Sequence, residues 1–295
     1  MTKSPFIIDG ETLQARLGEA RLRIVDASWY LPAQNRDQRA DYANGHIPGA
    51  VFFDQDAIVD PNSSLPHALP SPEVFAAKVG ALGISENDTI VVYDGPGLFS
   101  APRVWWMFRT MGAGSVLLLD GGLDRWKAEG RPVTAEASAP EPEPAVFTPT
   151  FDASRVATID DVRAVIDDGS AQIADARPHG RFTGEEPEPR AGMRSGHMPG
   201  AFNVPAASLG ANGSLKDLEA LAETLKHAGV DPAKPVVTTC GSGVTAATIT
   251  LALHSLGYTD NKLYDGSWSE WGSRDDTPVK QGAGIIDDAA SSLKE

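Results

Sequence analysis

The sequence predicts an α/β protein made of two similar domains, each a mostly parallel sheet flanked by helices on both faces. The first observation is that short β-branched runs alternate with helical patterns along the chain. This alternation is typical of parallel sheets whose strands are joined by helices. The second observation is repetition, since HIPGA at residues 46–50 recurs as HMPGA at 197–201, and IVDA at 24–27 recurs as IADA at 173–176. Motifs that recur in the same order indicate an internal duplication.

The individual elements follow from these runs and patterns. In the first half we predict strands over residues 21–26, 89–93 and 116–119, and helices over 11–17, 71–82 and 101–111. In the second half we predict strands over residues 171–175, 235–239 and 262–264, and helices over 158–167, 215–228 and 243–256. In such sheets, ligands bind beyond the carboxyl ends of the strands.

The repeats divide the chain into domains over residues 1–132 and 151–295. The interval from Gly112 to Asp120 equals that from Gly257 to Asp265, at eight residues, so the two halves keep the same register. Residues 133–150 are rich in Pro, Ala and Glu and have no pattern that would form a packed core. We expect them to form an extended linker, and we expect the polar last fifteen residues to be mobile.

Composition excludes several classes of function. No apolar run is long enough to cross a membrane, and the first residues have no signal pattern, so we expect a soluble cytoplasmic protein without membrane partners. The net charge of −15 argues against nucleic-acid binding. A single cysteine forms neither an intramolecular disulfide nor a cysteine metal cluster, so sulfur chemistry needs an external thiol. We take a monomer as the default.

That cysteine, Cys240, is the main candidate for a nucleophile. It follows the apolar run at 235–239 and opens the turn CGSGVTAA, which leads into a predicted helix. The free N–H groups and positive end of a helix favour the ionised form of a sulfur placed there. A lone cysteine is also compatible with a buried, inert packing residue. Gly241 and Gly243 argue against this alternative, because a core cysteine does not need a loop whose backbone approaches a ligand.

Aligning the two halves places Asp94 at the position of Cys240. The first copy keeps the strand, turn and helix in YDGPGLFSAPRVWW but has no sulfur there. Only the second domain is therefore expected to perform thiolate chemistry. The first domain is then expected to support the second domain structurally, to contact a partner, or to form one wall of a cleft between the domains.

With these motifs together, the chain resembles the two-domain sulfurtransferases of the rhodanese superfamily. The resemblance covers essentially the whole chain, and its motifs are DASWYLP at 26–32, YANGHIPGA at 42–50, CGSGVTA at 240–246 and LYDGSWSEW at 263–271. Thiosulfate-using members typically carry CRKGVT in the loop, whereas the 3-mercaptopyruvate branch carries CGSGVT. The resemblance therefore implies two tandem rhodanese-like domains and the mercaptopyruvate branch.

The resemblance also implies a reaction. Cys240 would take the sulfur of 3-mercaptopyruvate as a persulfide, release pyruvate, and pass the sulfur to a thiol, thioredoxin or cyanide. No metal or organic cofactor is implied. The loop residues Gly241, Gly243, Val244 and Thr245 would surround the sulfur with backbone N–H groups.

The same resemblance suggests residues for donor binding and proton transfer. Arg181 and Arg190 match the family's GRF...EPR pattern, whose arginines bind the donor's carboxylate and carbonyl, although they are also placed to pair with the neighbouring Glu185, Glu186 and Glu188. A serine, histidine and aspartate relay would map to Ser242, His46 and Asp37. His46 has an alternative role in ordering its turn, because His197 stands in the same motif of the second repeat, and Asp26 competes with Asp37 as its partner.

Two other functions stay open. A thiosulfate sulfurtransferase is the nearest alternative, although the loop lacks the basic side chains that suit a dianionic donor. A noncatalytic rhodanese-like binding module is the other. A phosphatase with a Cys-x5-Arg loop is disfavoured, because Ala246 stands where the arginine is required.

Overall fold

The computed structural model describes residues 2–135 and 143–284, which contain two five-stranded parallel sheets, one in each half of the chain. The predicted fold class is thereby confirmed. The interior of the predicted linker, residues 136–142, and the end of the tail, 285–295, lie outside the described residues. The proposed domain boundaries at 132 and 150 stay predictions.

The first sheet has the strand order β1-β5-β4-β2-β3, with every neighbouring pair parallel. Its strands are β1 (Ile7–Ile8), β2 (Leu22–Asp26), β3 (Ala50–Phe52), β4 (Thr89–Tyr93) and β5 (Ser115–Leu119). The helices of this half are α1 (Gly10–Ala15), α2 (Gln38–Asn44), α3 (Pro72–Ala81), α4 (Ala101–Thr110) and α5 (Gly122–Ala128), with a 3-10 turn at Pro32–Gln34.

The second sheet repeats this topology in the order β6-β12-β11-β7-β8, again parallel throughout. Its strands are β6 (Val156–Ala157), β7 (Gln172–Asp175), β8 (Ala201–Asn203), β11 (Val236–Thr239) and β12 (Asn261–Tyr264), and β9 (Gly210–Ala211) and β10 (Ser214–Leu215) form a separate hairpin. The helices are α6 (Ile159–Asp168), α7 (His179–Thr183), α8 (Leu218–His227), α9 (Ala246–Ser255) and α10 (Ser267–Trp271), with 3-10 turns at Ala153–Arg155 and Ala206–Leu209.

Each sheet is buried on both faces, as β4 illustrates. Ile90 and Val92 belong to a buried cluster that contains residues of α3, α4 and α9, whereas Val91 and Tyr93 belong to another that contains residues of α1 and α5. Successive side chains of a strand point to opposite faces, so a strand with helices on both sides is apolar along its whole length.

Two predicted helices begin later than expected. Residues 214–215 form β10, and α8 starts only at Leu218, after Asp217 caps its first turn by accepting a hydrogen bond from the Ala220 N–H group. Residues 243–245 belong to the loop, because Gly243 has φ +77° and the helical conformation of α9 starts at Ala246. The edge strands β1, β3, β6 and β8 were not predicted, since two or three residues are too few for a periodic pattern.

The two domains pack through α4 and α9, and one apolar cluster continues across them. Trp105 and Phe108 of α4 and Ile249 and Leu253 of α9 belong to this shared cluster. Among residues 2–135 and 143–284, no helix has the length and apolar character needed to cross a membrane. The packing brings the carboxyl end of the second sheet against loops of the first domain, where the candidate site lies.

Candidate active site

Cys240 is the first residue after β11, at the carboxyl end of the second sheet's central strand. The backbone of α10 holds the start of its loop: the Trp268 N–H group donates to the Cys240 carbonyl at 2.9 Å, and the Ser269 N–H group donates to the Gly241 carbonyl at 2.9 Å. The Ser267 hydroxyl accepts from the Cys240 N–H group at 3.2 Å. Cys240 is 2% exposed and belongs to the apolar cluster shared by the two domains, so the residue is almost fully buried.

The loop leads into a helix start that no side chain caps. Thr245 is the N-cap residue of α9, and its side chain makes no capping hydrogen bond. Ser242 and Val244 are buried beside Cys240 in the chain, whereas Gly241 and Thr245 are partly exposed. Uncapped N–H groups at a helix start bind anions, so this end of α9 suits a thiolate or persulfide sulfur.

The first domain illustrates how such a loop holds an anion. Asp94 follows the central strand β4 in the same way, and its Oδ2 atom accepts hydrogen bonds from the N–H groups of Phe99 (2.9 Å), Ser100 (2.7 Å) and Ala101 (2.8 Å). Burial raises the pKa of Asp94, and these three N–H groups act in the opposite direction. Residues at the same distances after Cys240 are Thr245, Ala246 and Ala247. By sequence position, the N–H groups of these three residues are the counterparts of those that bind Asp94, although the backbone of the two loops differs, since Leu98 has φ +61° and the matching Val244 does not have a positive φ.

Arg190 is the predicted donor-binding arginine with the greater freedom. Its single hydrogen bond among the described residues is a long one, from Nη1 to the Ser269 hydroxyl at 3.4 Å. Burial and the neighbouring Arg181 lower the pKa of Arg190, while the charges of Cys240 and Glu188 raise it. The Ser269 hydroxyl in turn donates to the Gly241 carbonyl at 2.7 Å, so it links the guanidinium group to the loop of Cys240, and most of the guanidinium donors are available for an anionic ligand.

Arg181 also reaches the loop, but it is already paired with a carboxylate. Its Nη2 atom lies 2.5 Å from Glu188 Oε2, and a Cβ atom built on Gly241 would lie 2.9 Å from the same nitrogen. Arg177, whose side chain is 1% exposed, binds both Asp175 and Glu188. Glu188 therefore neutralises part of the charge of Arg181, and Arg177 is a structural group within a buried ion-pair network.

A cavity of about 380 Å³ lies beside Arg190, and loops of the first domain form most of its wall. Trp29, Tyr30, Asp56 and His67 contribute side chains to it from that domain. Arg190 is the second domain's contribution to the lining, so the cavity lies between the two domains, and Cys240 is not among its lining residues. This arrangement supports the prediction that the first domain supplies one wall of a cleft.

His67 and Asp56 are functional candidates that the sequence did not reveal. The Nδ1 atom of His67 lies 3.7 Å from Asp56 Oδ1, and the His67 ring packs edge-on against Trp29 with centroids 4.6 Å apart. Burial lowers the pKa of His67, and the carboxylate of Asp56 opposes this effect. His67 stands 173 residues before Cys240 in the other domain, so no local spacing relates the two. Arg103 links the two segments, since it donates to the His67 carbonyl at 2.8 Å and to the Gly243 carbonyl at 3.4 Å, and this link forms when the domains pack.

His46 and Asp37 make their side-chain hydrogen bonds within the first domain. The Nδ1 atom of His46 contacts the Tyr42 carbonyl at 2.7 Å, and its ring stacks on Tyr42 with centroids 4.0 Å apart. Asp37 is the N-cap of α2, where its carboxylate accepts from the N–H groups of Arg39 and Ala40. Within the described ranges, no hydrogen bond links either side chain to the loop at 240–245. Their part in proton transfer stays a prediction that these contacts do not favour.

Among residues 2–135 and 143–284, no three His, Cys, Asp or Glu side chains come together as metal ligands would. The groups of the candidate site described above are the Cys240 thiol, the backbone of its loop, Arg181, Arg190 and the His67–Asp56 pair.

Comparison with known proteins agrees with this architecture. The model of the rhodanese-like domain matches twice, at residues 9–129 and 158–274. The chain is 44% identical over 276 residues to the 3-mercaptopyruvate sulfurtransferase of Escherichia coli (strain K12), covering 93% of this chain and 98% of that protein. It is 43% identical over 264 residues to the thiosulfate sulfurtransferase of Gallus gallus, covering 88% of this chain and 90% of that protein.

A solved structure shares the whole fold. The crystal structure of SseA from Escherichia coli, described with the 3-mercaptopyruvate sulfotransferases, superposes with a TM-score of 0.82 at 41% identity, covering 92% of this chain and all of that one. Two matched domains, a shared fold and this level of identity lead to one conclusion: the chain belongs to the rhodanese family, as a protein with two rhodanese-like domains in tandem.

Proposed function

We propose that this protein is a sulfurtransferase that takes sulfur from 3-mercaptopyruvate onto Cys240, releases pyruvate, and passes the sulfur to a thiol acceptor. The observation that carries the proposal is the position of Cys240 before the uncapped start of α9, in a loop that the Ser269 hydroxyl links to Arg190. The names of the relatives at 42–44% identity support sulfur transfer as the reaction.

The first half-reaction follows from this geometry. The Cys240 thiolate attacks the sulfur of the donor, an S–S bond forms, and the donor's C–S bond breaks with its electron pair going to carbon. The product is pyruvate enolate, and the persulfide stays on the enzyme. Arg190 is placed to bind the donor's carboxylate, since a guanidinium group offers a rigid pair of donors to two oxygens. Arg181 contributes less charge, because Glu188 is bound to it.

The enolate carbon must gain a proton, and the donor's thiol has one to lose. We assign the transfer to His67 with Asp56, together with Ser242, in place of His46 and Asp37. The lowered pKa of His67 favours its neutral form, which is able to accept a proton and return it. Asp56 acts on the ring through its charge rather than through a hydrogen bond, because its Oδ1 atom lies 3.7 Å from His67 Nδ1. Its own position is set by hydrogen bonds from the Trp29 indole at 3.0 Å and the Gln38 amide at 3.1 Å.

In the second half-reaction an acceptor thiolate attacks the outer sulfur of the persulfide. Cys240 then leaves as a thiolate, which the amides of residues 245–247 stabilise, and the cycle closes without a change of oxidation state in the protein. Because Cys240 is the sole cysteine, the acceptor has to come from outside the chain. Small thiols, thioredoxin and cyanide are the acceptors we expect.

A thiosulfate sulfurtransferase is the second candidate, and the similarity to the chicken enzyme of that name favours it. The loop argues for a lower rate with thiosulfate, since Gly241 and Ser242 provide no cation for a second negative charge. Arg190 then stands as the main cation available to a donor.

Intact-mass measurement tests the proposal. Incubation with 3-mercaptopyruvate should add one sulfur atom to the protein, release pyruvate, and leave Cys240→Ser unchanged. Initial rates with mercaptopyruvate or thiosulfate, each with cyanide as acceptor, then rank the donors. A mass gain only with thiosulfate would establish the second candidate, and no gain with either would favour a noncatalytic binding module. Cytoplasmic location and the monomeric state stay predictions, to be checked by fractionation and by light scattering.

A further inference from the structure

Arg103 is a buried cation that reaches from the first domain into the sulfur-carrying loop of the second. It lies on α4 and is 1% exposed. Its Nη2 atom donates to Asp265 Oδ1 at 2.6 Å and to the His67 carbonyl at 2.8 Å, and its Nη1 atom donates to the Gly243 carbonyl at 3.4 Å. One guanidinium group thus contacts the cleft wall, the loop and the end of β12.

Asp265, in the second domain, contacts both the segment at 67–69 and the loop at Gly243. Its Oδ2 atom accepts a hydrogen bond from the Leu69 N–H group at 2.7 Å, two residues after His67. Its carbonyl oxygen would lie 2.9 Å from a Cβ atom on Gly243. The carboxylate therefore ties the segment at 67–69 to the same loop that Arg103 contacts.

The duplication makes Arg103 distinctive. Arg103 lies nine residues after Asp94, and the residue nine positions after Cys240 in the second domain is Ile249. Ile249 is fully buried in the shared apolar cluster. Replacing such a buried ion pair by apolar residues is often neutral or stabilising, so stability alone gives little reason for a charge at this position. A role in arranging polar groups around the loop accounts for it better.

The loop that follows Asp94 lies elsewhere in the domain interface and is covered by the second domain. The β9–β10 hairpin of the second domain covers the loop after Asp94, since a Cβ atom built on Gly97 would lie 2.5 Å from the Gly213 carbonyl oxygen. Arg125 donates to the Asn212 carbonyl at 3.2 Å on the same hairpin. The hairpin thus covers the loop that follows Asp94. The first domain therefore has to contribute to an active site through residues that reach the loop of Cys240.

From these contacts we propose that Arg103, paired with Asp265, is a positioning residue that holds the loop at Gly243 and the His67 segment in their reactive arrangement. The inference rests on the proposed function of Cys240. It assigns a specific task to the first domain, which has no nucleophile. The guanidinium group of Arg103 would set the distance between the Cys240 sulfur and the His67 segment, to which we assign the proton transfer. Arginine suits the task, since its planar fork contacts three oxygens that a lysine ammonium group does not span.

The test compares Arg103→Lys and Asp265→Asn with the unchanged protein and with Ser4→Ala. Ser4 provides a matched control, because its hydroxyl lies 2.7 Å from that of Ser255 in another buried contact between the domains, away from the loop. For each protein we would measure Tm, kcat and KM for mercaptopyruvate, and the alkylation rate of Cys240 by iodoacetamide at one pH.

We expect Arg103→Lys to lower kcat by about a hundredfold and to change KM by less than about threefold, because the reacting groups are misplaced while Arg190 still binds the donor. Alkylation should slow by on the order of tenfold, since the amides no longer face the sulfur in the same way. Asp265→Asn should act in the same direction, and Ser4→Ala should lower Tm alone.

A kcat and an alkylation rate that both stay within twofold of the unchanged protein in the folded Arg103→Lys variant would overturn the proposal. If that variant does not fold, Asp265→Asn decides by the same criteria, since it keeps the side-chain volume. The mass measurement on the unchanged protein separates the two hypotheses: without a sulfur adduct the proposed function fails, whereas the alkylation comparison still tests Arg103.

Discussion

His46 and His197 make the same contacts in the two domains. Each ring stacks on an aromatic ring with centroids 4.0 Å apart, on Tyr42 in one domain and on Phe182 in the other. Each Nδ1 atom lies against the carbonyl oxygen of that same aromatic residue, at 2.7 Å and 2.9 Å. Because the contacts occur in both domains, including the one without a nucleophile, they indicate an ordering role for the histidine of the HxPGA motif.

The first prediction contrasts His46 with His67. His46→Gln should lower the free energy of unfolding by about 1–3 kcal/mol, because a buried hydrogen bond and a stacked ring are lost, and should keep kcat within about twofold. His67→Gln should lower kcat by roughly a hundredfold, the usual contribution of a general acid or base. Denaturant unfolding and steady-state rates with mercaptopyruvate measure both. The reverse pattern would return the proton relay to His46 and Asp37.

The second prediction concerns donor binding by Arg190. Arg190→Ala should raise KM for mercaptopyruvate by about 10- to 100-fold, because a hydrogen-bonded charge contributes about 1.5–3 kcal/mol. The rate of Cys240 alkylation should change little by comparison. Arg163→Ala is the control, since Arg163 pairs with Asp160 and Asp276 on the surface, away from the loop. An unchanged KM would remove Arg190 from the donor site.

The third prediction concerns donor selectivity. Replacing Gly241 and Ser242 by Arg and Lys should raise the ratio of thiosulfate to mercaptopyruvate kcat/KM by at least about tenfold, because added cations favour the dianionic donor. The new side chain at 241 would meet the end of the Arg181 side chain, which is able to move. Gly241→Ala with Ser242→Ala is the uncharged control. A ratio that does not rise would place selectivity outside the loop.

The fourth prediction concerns pH and the domain interface. Burial, followed by the charges of Arg155 and Arg109, lowers the pKa of His254 to about 4. The unfolded chain, with an ordinary value near about 6.5, then binds a proton more readily than the folded one. Stability from this group is complete above pH ~6.5 and is lost as the pH falls toward 4, by about 3 kcal/mol in all.

The measurement is the free energy of unfolding between pH 7.5 and 4.5 in denaturant. His254→Leu, which keeps an apolar contact with Trp105, should lose less stability over this range than the unchanged protein. The slope should decrease without vanishing, because burial also lowers the pKa of His67 and His197. Equal slopes for the two proteins would show that His254 does not titrate on unfolding.

Much of the fold was predictable because it depends on local patterns. The run TIVVY at 89–93 is a strand with the predicted bounds, and the repeated motifs by themselves indicate two domains. Short edge strands escaped prediction, since they exist through hydrogen bonds to a neighbour rather than through their own sequence. The start of α9 was predicted too early for a similar reason, because the left-handed Gly243 is required by the loop's closed shape.

By itself the sequence determined the α/β class, the duplication, the thiol at the end of a central strand, and the loss of that thiol in the first copy. These features are encoded in runs of neighbouring residues and in repeated motifs. Only the tertiary structure decided which distant groups meet between the domains: it placed His67 and Asp56 in one cavity with Arg190, and it brought Arg103 to Gly243. It also decided that Glu188 is the partner of Arg181. The physical reason is that an active site between domains depends on how the two folded surfaces pack. The spacing of residues along the sequence does not determine the distance in space between residues of different domains.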